Sequence, residues 1–418
     1  LTTVNLLVNP GFGTGALAPW TATGATAAVE TSIVAAGGYA AQVTPGGTAA
    51  GPHLDSGLVP CQPGNWVNVG GLARGSSGLA HQVQAVVCFY TAAGTLTATV
   101  AGTAATLTTT GWTTLTATGQ APAGATQAGC RYAYAGTTVP TTSEVSYWDS
   151  AWASTLLSWD PQLCRVIIDP AVIAPLLPGQ AGTAVISSSP DALRWTVVRG
   201  GAAAVVSVSC LPVSDAEFPA PDLVNYYTVA INGGTTYADQ ITCPLGGTPW
   251  LKNIAQPFTN LPVALADASD IVRPARSAAF DIIGQELPVA ISTVRGGRQF
   301  TLTVYTTTDA ADQAVQAVAA SGDVLLLQVP AGYATQDIAG YYTAGDTTAS
   351  RQGVVWPLRW TQIPLTECVP PSPYVVAATS TWQTVAATYP TWAAVVAAQP
   401  TWAALIESVG APADVFIN

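Results

Sequence analysis

The strongest constraint on this chain is the recurrence of short runs that alternate apolar and polar residues and stop at glycine or proline. Trp66-Val67-Asn68-Val69, the run from Gln82 to Tyr90, and Arg131-Tyr132-Ala133-Tyr134 all follow this pattern. Side chains alternate across a strand, so each run offers one face to a core. Several such runs at even spacing predict a β-sandwich over residues 1–154. After a seam at Trp159-Asp160-Pro161, further runs (Ala184-Val185-Ile186, Arg194 to Val198, Val205 to Val208, Val224 to Val229) predict a small second β-sandwich within 155–248. Over 249–366 the rhythm changes. Strands at Val289–Ser292 and Phe300–Tyr305 precede a helical stripe in Asp309–Ala320 (Ala311, Ala314, Val315, Val318), with Asp309 as its cap, and Val324–Val329 returns as a strand. The fold class is therefore mainly β and multidomain, ending in a proline-rich linker and tail over 367–418.

That tail repeats Thr381-Trp382, Thr391-Trp392 and Thr401-Trp402 at ten-residue intervals, with Pro390 and Pro400 before the last two pairs. Each Thr stands where an N-cap belongs, and each Pro ends the preceding helix. Helices of about two turns are unstable alone in water, so they need a surface to pack on. A buried Trp removes ~150–250 Å² from water, worth up to ~4–6 kcal/mol. Trp382, Trp392 and Trp402, with Leu405 and Ile406, are thus expected to be assembly anchors; docking on the chain's own core is the alternative.

Charge is sparse: 8% of residues, against about 25% in an average soluble protein, with a net charge of −11. One lysine and eleven arginines with no basic run argue against sequence-specific nucleic-acid binding. No uninterrupted apolar run of about 18 residues could span a bilayer as a helix. The start Leu1-Thr2-Thr3 lacks the basic and apolar stretches of a secretory leader. The seven cysteines show no C-x-x-C pair, so most are expected to be buried thiols, although Cys88 and Cys130 lie in strands that could meet.

The run Asn9-Pro10-Gly11-Phe12-Gly13-Thr14-Gly15, with Trp20 and the later Tyr147-Trp148-Asp149, resembles the opening and closing strands of family-4/9 carbohydrate-binding modules. The resemblance implies a jelly roll over about 150 residues that binds polysaccharide. It also implies a structural calcium, for which only Asp149 matches, since Gly13 stands where those modules usually carry an acid. Sugar rings need flat aromatic faces, which makes Trp66, Tyr90, Trp112, Tyr132 and Tyr134 the glycan-contact residues to test. Aromatics that alternate on strands also fill sandwich cores.

Residues 155–418 resemble minor tail proteins of siphophages that infect actinobacteria. The resemblance rests on Arg194 to Gly200 followed by Asp215 to Pro221, on Ile291 to Phe300, and on the Trp decapeptides. The region 250–365 is also similar to distal-tail and tail-tube proteins, which form rings. This implies a structural protein of the phage tail tip, located in the virion, with partners in other copies of itself (trimer or hexamer), other tail proteins and host cell-wall polysaccharide. Arg295 and Arg298, in a hairpin turn at Arg295-Gly296-Gly297-Arg298, are expected to meet a neighbouring subunit.

No catalytic constellation stands out. His53 and His81 accompany no G-x-S-x-G elbow, H-E-x-x-H or phosphate loop, and Asp215-Ala216-Glu217 reads as a capped turn. The chain is expected not to be an enzyme. A secreted polysaccharide-binding protein and a tail-associated glycan hydrolase are the competing readings.

Overall fold

A computed structural model describes residues 5–176, 182–206, 212–280, 283, 286, 289–292, 294–333, 336–351, 358–371 and 391–398. Their strands gather around three hydrophobic cores, drawn from residues 7–153, 156–250 and 251–365.

The first unit is a jelly roll of β1 (Thr21–Thr23), β2 (Ala25–Glu30), β3 (Ala40–Pro45), β4 (His53–Asp55), β5 (Val59–Pro60), β6 (Trp66–Gly75), β7 (Val83–Tyr90), β8 (Leu96–Ala101), β9 (Thr113–Gln120), β10 (Gln127–Tyr134) and β11 (Ser146–Thr155). One sheet runs β1-β4-β10-β7-β8, with β5 also on β10, and faces a second in the order β2-β3-β11-β6-β9. Between them, Tyr132 stacks on Trp148 at 4.1 Å and on Trp20 at 5.5 Å. The Tyr132 hydroxyl donates to the Gly70 carbonyl at 2.9 Å, and the Tyr134 hydroxyl to the Glu144 carbonyl at 2.6 Å. Gly71 is required here because a Cβ would stand 2.0 Å from the Tyr132 hydroxyl.

The second unit holds β12 (Leu157–Asp160), β13 (Arg165–Ile168), β14 (Gly182–Ser189), β15 (Thr196–Val197), β16 (Ala204–Val206), β17 (Val213–Asp215), β18 (Val224–Ile231) and β19 (Thr236–Thr242). They form the sheets β12-β13-β17 and β15-β14-β18-β19, with β16 also on β14. Only Leu156 separates β11 from β12. The expected strand at Arg194 to Val198 shrinks to two residues, because Asp191 accepts from the main-chain N–H groups of Leu193 and Arg194 and bends the chain into a turn.

The third unit comprises β20 (Trp250–Asn253), β21 (Leu261–Pro262), β22 (Ala264–Ala268), β23 (Ser277–Phe280), β24 (Val289–Ser292), β25 (Gln299–Thr306), helix α1 (Asp309–Ala320), β26 (Leu325–Gln328), β27 (Gly340–Ala344), β28 (Thr348–Arg351) and β29 (Arg359–Glu367). Its main sheet runs β21-β20-β26-β27-β29-β25-β22, while β23 and β24 pair only with each other. Helix α1 has the expected bounds, but Thr308 caps it, its side chain accepting from the Ala311 N–H at 3.2 Å. Its buried stripe is Asp312, Val315, Val318 and Ala319, and Ala311 and Ala314 face outward. Asp312 is tolerated there because Gln316 and Thr361 donate to its carboxylate.

Among the described residues no helix is long and apolar enough to cross a membrane. Trp382, Trp402, Leu405 and Ile406 lie outside the described residues. Thr391 caps a helix at Trp392–Ala398, accepting from the Ala394 N–H at 3.2 Å, with Val395 buried.

Candidate functional site

The register of the β1-β4-β10-β7-β8 sheet decides which side chains meet solvent. On β7, Val83, Ala85, Val87 and Phe89 enter the core, as do Ala128, Cys130, Tyr132 and Tyr134 on β10. Strand alternation turns Gln84, Val86, Cys88 and Tyr90, with Gly129, Arg131 and Ala133, to the opposite face. Cross-strand pairing then aligns rows on that face: Thr21, Asp55, Arg131, Val86 and Ala101 in one, and Gly129, Cys88 and Thr99 in the next.

This outer face has a low floor and raised walls. Val86, Cys88 and Ala133 are at most 7% exposed although they point away from the core, and Tyr90 packs against them. Gly129 keeps the floor low, because a Cβ there would meet Leu58 at 3.2 Å and Tyr90 at 3.7 Å. The opposite wall is an ion pair. Arg131 donates from Nε to Asp55 Oδ1 at 2.6 Å and from Nη2 to Oδ2 at 3.0 Å. Burial works against the charged guanidinium, but the Asp55 hydrogen bonds prevail and hold Arg131 above its ordinary value. His53, anchored by Nδ1 on the Gly51 carbonyl at 2.9 Å, brings Nε2 within 3.6 Å of Asp55. Burial pushes the Tyr90 phenol and the Cys88 thiol up to about 12 and about 11, so both stay neutral at pH 7.

The face therefore offers an aromatic ring, a positioned guanidinium with three N–H groups beyond those given to Asp55, a carboxylate and threonine hydroxyls. Such a set can stack on the C–H face of a sugar ring and pair with its hydroxyls.

Of the five aromatic residues expected to touch glycan, only Tyr90 lies on this face. Tyr132 and Tyr134 are 1% and 3% exposed and belong to the sandwich core, which corrects that expectation. Trp66 turns its ring edge-on to Tyr237 at 5.2 Å and packs on the second unit's core, so it too is corrected. Trp112 is half-buried just ahead of β9, an edge strand of the other sheet. Sequence reasoning missed Arg131, Asp55, His53 and Leu58. The visible signal was the charge within Arg131-Tyr132-Ala133-Tyr134, one position out of phase with the inward residues.

The Asp149 carboxylate does not fit a calcium site. Its Oδ2 accepts from the N–H groups of Ala35 and Ala36 at 2.8 and 3.0 Å, and its Oδ1 from that of Ser150 at 2.5 Å. Calcium takes six to eight oxygen ligands, whereas here amide hydrogens surround the acid. Among the described residues no cluster of three or more His, Cys, Asp or Glu could hold a metal.

Cys88 and Cys130 do not pair. Cys88 faces outward opposite Gly129, while Cys130 faces the core, and both are free thiols. Arg298 is committed within its own chain. It reaches Glu367 at 2.8 Å, donates to the carbonyls of Asp337 and Ala339, and lies over Tyr342. That corrects its expected role as a contact for a neighbouring subunit. Gly296 and Gly297 are needed for close approach, since a Cβ would stand 2.8 Å from Pro274 or from the Glu367 carbonyl. Arg295 remains exposed.

His81 lies between Glu144 Oε2 and the Thr138 hydroxyl, 2.7 Å from each. Glu144 also accepts from the N–H groups of Ala80, His81 and Thr141, which makes the group a clasp between loops. A cleft of about 600 Å³ between the second and third units is lined by Arg199, Asp215, Glu217, Tyr341 and Pro371 among others. Its acids are already engaged: Asp215 accepts from the Glu217 N–H and the Tyr227 hydroxyl, and Glu217 from Arg199 and Tyr341. The Asp215–Glu217 segment is thus a capped turn.

The sequence pattern of the family described as "Carbohydrate binding domain" matches residues 4–133, and the jelly roll extends past that match to close with β11. No curated protein matches the chain. Among solved structures, the chain is similar to the CBM22-1 xylan-binding domain of Paenibacillus barcinonensis Xyn10C (18% identity, 37% of this chain and 95% of that one, TM-score 0.30). It is similar to TmCBM61 in complex with β-1,4-galactotriose (17%, 36% and 98%, 0.24). A third is the enzymatically active domain of bacteriophage CBA120 tailspike protein 4 (15%, 36% and 21%, 0.30). The class defined by fold and site is a mainly β, multidomain protein whose N-terminal unit is a jelly roll of the carbohydrate-binding-module type.

Proposed function

We propose that the chain is a non-catalytic structural protein of a phage tail tip whose N-terminal jelly roll holds a host surface polysaccharide on its outer sheet face. The observation that carries the glycan reading is the juxtaposition of Tyr90 with the Arg131–Asp55 pair across a floor of Gly129 and Cys88. The tail-tip reading draws support from the sequence resemblance over 155–418 and from the capped Trp392 helix, which matches one unit of the proposed assembly repeat.

The test uses the full chain on an array of bacterial cell-wall polysaccharides. Retention of a polysaccharide by wild type, lost at least tenfold in Tyr90→Ala with unfolding unchanged, supports the reading. Equal retention by wild type and Tyr90→Ala would sink the assignment of this face, and turnover of the retained glycan would sink the non-catalytic part. For the tail-tip part, particle incorporation is compared between wild type and a variant with Trp382, Trp392 and Trp402 all changed to Ala.

A further inference from the structure

The seam between the jelly roll and the second unit contains two buried polar atoms without hydrogen-bond partners, Asp239 Oδ2 and Trp66 Nε1. Asp239 lies on β19 and is 5% exposed. Its other oxygen accepts from Asn65 Nδ2 across the seam at 2.7 Å and from the Gln240 N–H at 2.7 Å. Asn65 also donates to the Gln240 carbonyl at 3.1 Å, and Gln120 Nε2 reaches the Ala238 carbonyl at 3.5 Å. Trp66, next to Asn65, stands edge-on to Tyr237. This part of the contact thus brings together one carboxylate, two amide side chains and an aromatic pair, beside the short 3-10 turns Pro170–Val172 and Ala174–Leu176, which pack on β6 and β9.

We propose that this seam is a proton-dependent joint, closed while Asp239 is a neutral carboxylic acid and loosened when it ionises.

A buried carboxylate with no well-formed hydrogen bond to one oxygen carries a large desolvation cost, which opening the seam to water removes. The Asn65 amide and the backbone N–H groups of Gln240 and Trp66 favour the charge, but burial outweighs them and no cation stands nearby. Asn65 and Trp66 face it from the jelly roll, Tyr227 pairs with it from β18, and Tyr237 and Gln240 flank it on β19. The titratable groups among these, Tyr227 and Tyr237, are phenols shifted upward by burial and neutral at pH 7. No arginine, lysine or histidine acts on it. Burial pushes Asp239 up to about 7 in the closed seam, against 3.8 in the open chain. The closed form therefore holds the proton more tightly. Closure is complete below the open-state value and weakens as pH rises toward 7, by about tenfold per pH unit.

Hydrogen exchange of the full chain, followed in peptides covering residues 62–67 and 236–241 from pH 5 to 8.5, tests the joint. Wild type and Asp239→Asn are compared at each pH, so the intrinsic pH dependence of exchange cancels. The neutral amide mimics the protonated acid. Wild type should lose protection relative to Asp239→Asn progressively up to about pH 7 and then level off, while the jelly-roll core peptide 130–134 stays unchanged in both. A ratio within twofold over the whole range overturns the proposal. Should Asp239→Asn fail to fold, small-angle scattering of wild type decides. Reversible expansion as pH rises from 5, levelling off above about pH 7, supports the joint, and an unchanged radius from pH 5 to 8.5 overturns it. Neither result depends on glycan binding.

Discussion

Tyr132 and Trp148 lie 4.1 Å apart between ring centroids and only 9° from parallel, one from each sheet of the jelly roll. The pair holds the two layers in register at the centre of the core. Trp148→Ala should cost about 3–5 kcal/mol, as for a large aromatic removed from a packed interior. Gly71→Ala should cost about 1–3 kcal/mol, because its methyl would collide with the Tyr132 hydroxyl. Urea unfolding followed by fluorescence measures both, and a shift below ~0.5 kcal/mol in either would contradict this packing.

Lys252 is the chain's single lysine and is fully buried. Its Nζ donates at 2.6 Å to the carbonyls of Cys164 and Ala216 and sits 4.3 Å from the centre of the Phe218 ring. A lysine-acylating reagent at pH 7.5 should leave Lys252 unmodified in the native chain and modify it fully in urea, read by peptide mass. Lys252→Met should cost about 1–3 kcal/mol, since two carbonyls lose their donor.

The same residue gives a signed pH dependence. Burial lowers Lys252 from 10.5 to about 8, so between those values the unfolded chain binds more protons than the folded one. Stability contributed by this group rises with pH across that window. The free-energy gap between wild type and Lys252→Met should therefore widen in favour of wild type from pH 8 to 10. A constant gap would refute the assignment.

Glu144 titrates in the other direction. Burial alone would raise it, but N–H donors from Thr141, His81 and Ala80 and the His81 ring outweigh that and hold it at about 2, against 4.5 when unfolded. Its stabilisation is complete above pH 4.5 and is lost as pH falls through about 2. Glu144→Gln should be destabilised relative to wild type by about 1–3 kcal/mol at pH 6. The difference should shrink toward zero near pH 2, as measured by thermal unfolding.

Calcium should not matter to the jelly roll. Excess EDTA or millimolar calcium should leave its melting temperature unchanged within about 1 °C. Asp149→Asn should lower it, because the amide would point a donor at the N–H groups of Ala35 and Ala36. A calcium-dependent rise of several degrees would overturn the amide-cradle reading.

Period-two alternation made the β-rich character legible, and the Asp309–Ala320 stripe located α1, because both signals are local. The phase of the alternation was also present: Val83, Ala85, Val87 and Phe89 form one inward set. What alternation cannot say is which strands become neighbours. Tyr90 and Arg131 share a face only because β7 pairs with β10, and Asp55 joins Arg131 only through the β4–β10 register. Trp66 looked like a ligand platform because it is a flat aromatic on an alternating strand, and its partner Tyr237 lies 171 residues away in sequence. Arg298 looked free to meet a neighbouring subunit because Glu367, its partner, lies 69 residues further along the chain. Long-range pairing was the missing information in each case.

The passage from β11 into β12 through Leu156 alone has a mechanical consequence. A tug on material bound to the jelly roll would travel down an extended backbone directly into the second unit, with no slack loop to take up extension. Along that path β11 is held side by side with β6 over most of its length, so the load falls as shear on many hydrogen bonds at once. The grip would resist pulling by the strength of that ladder.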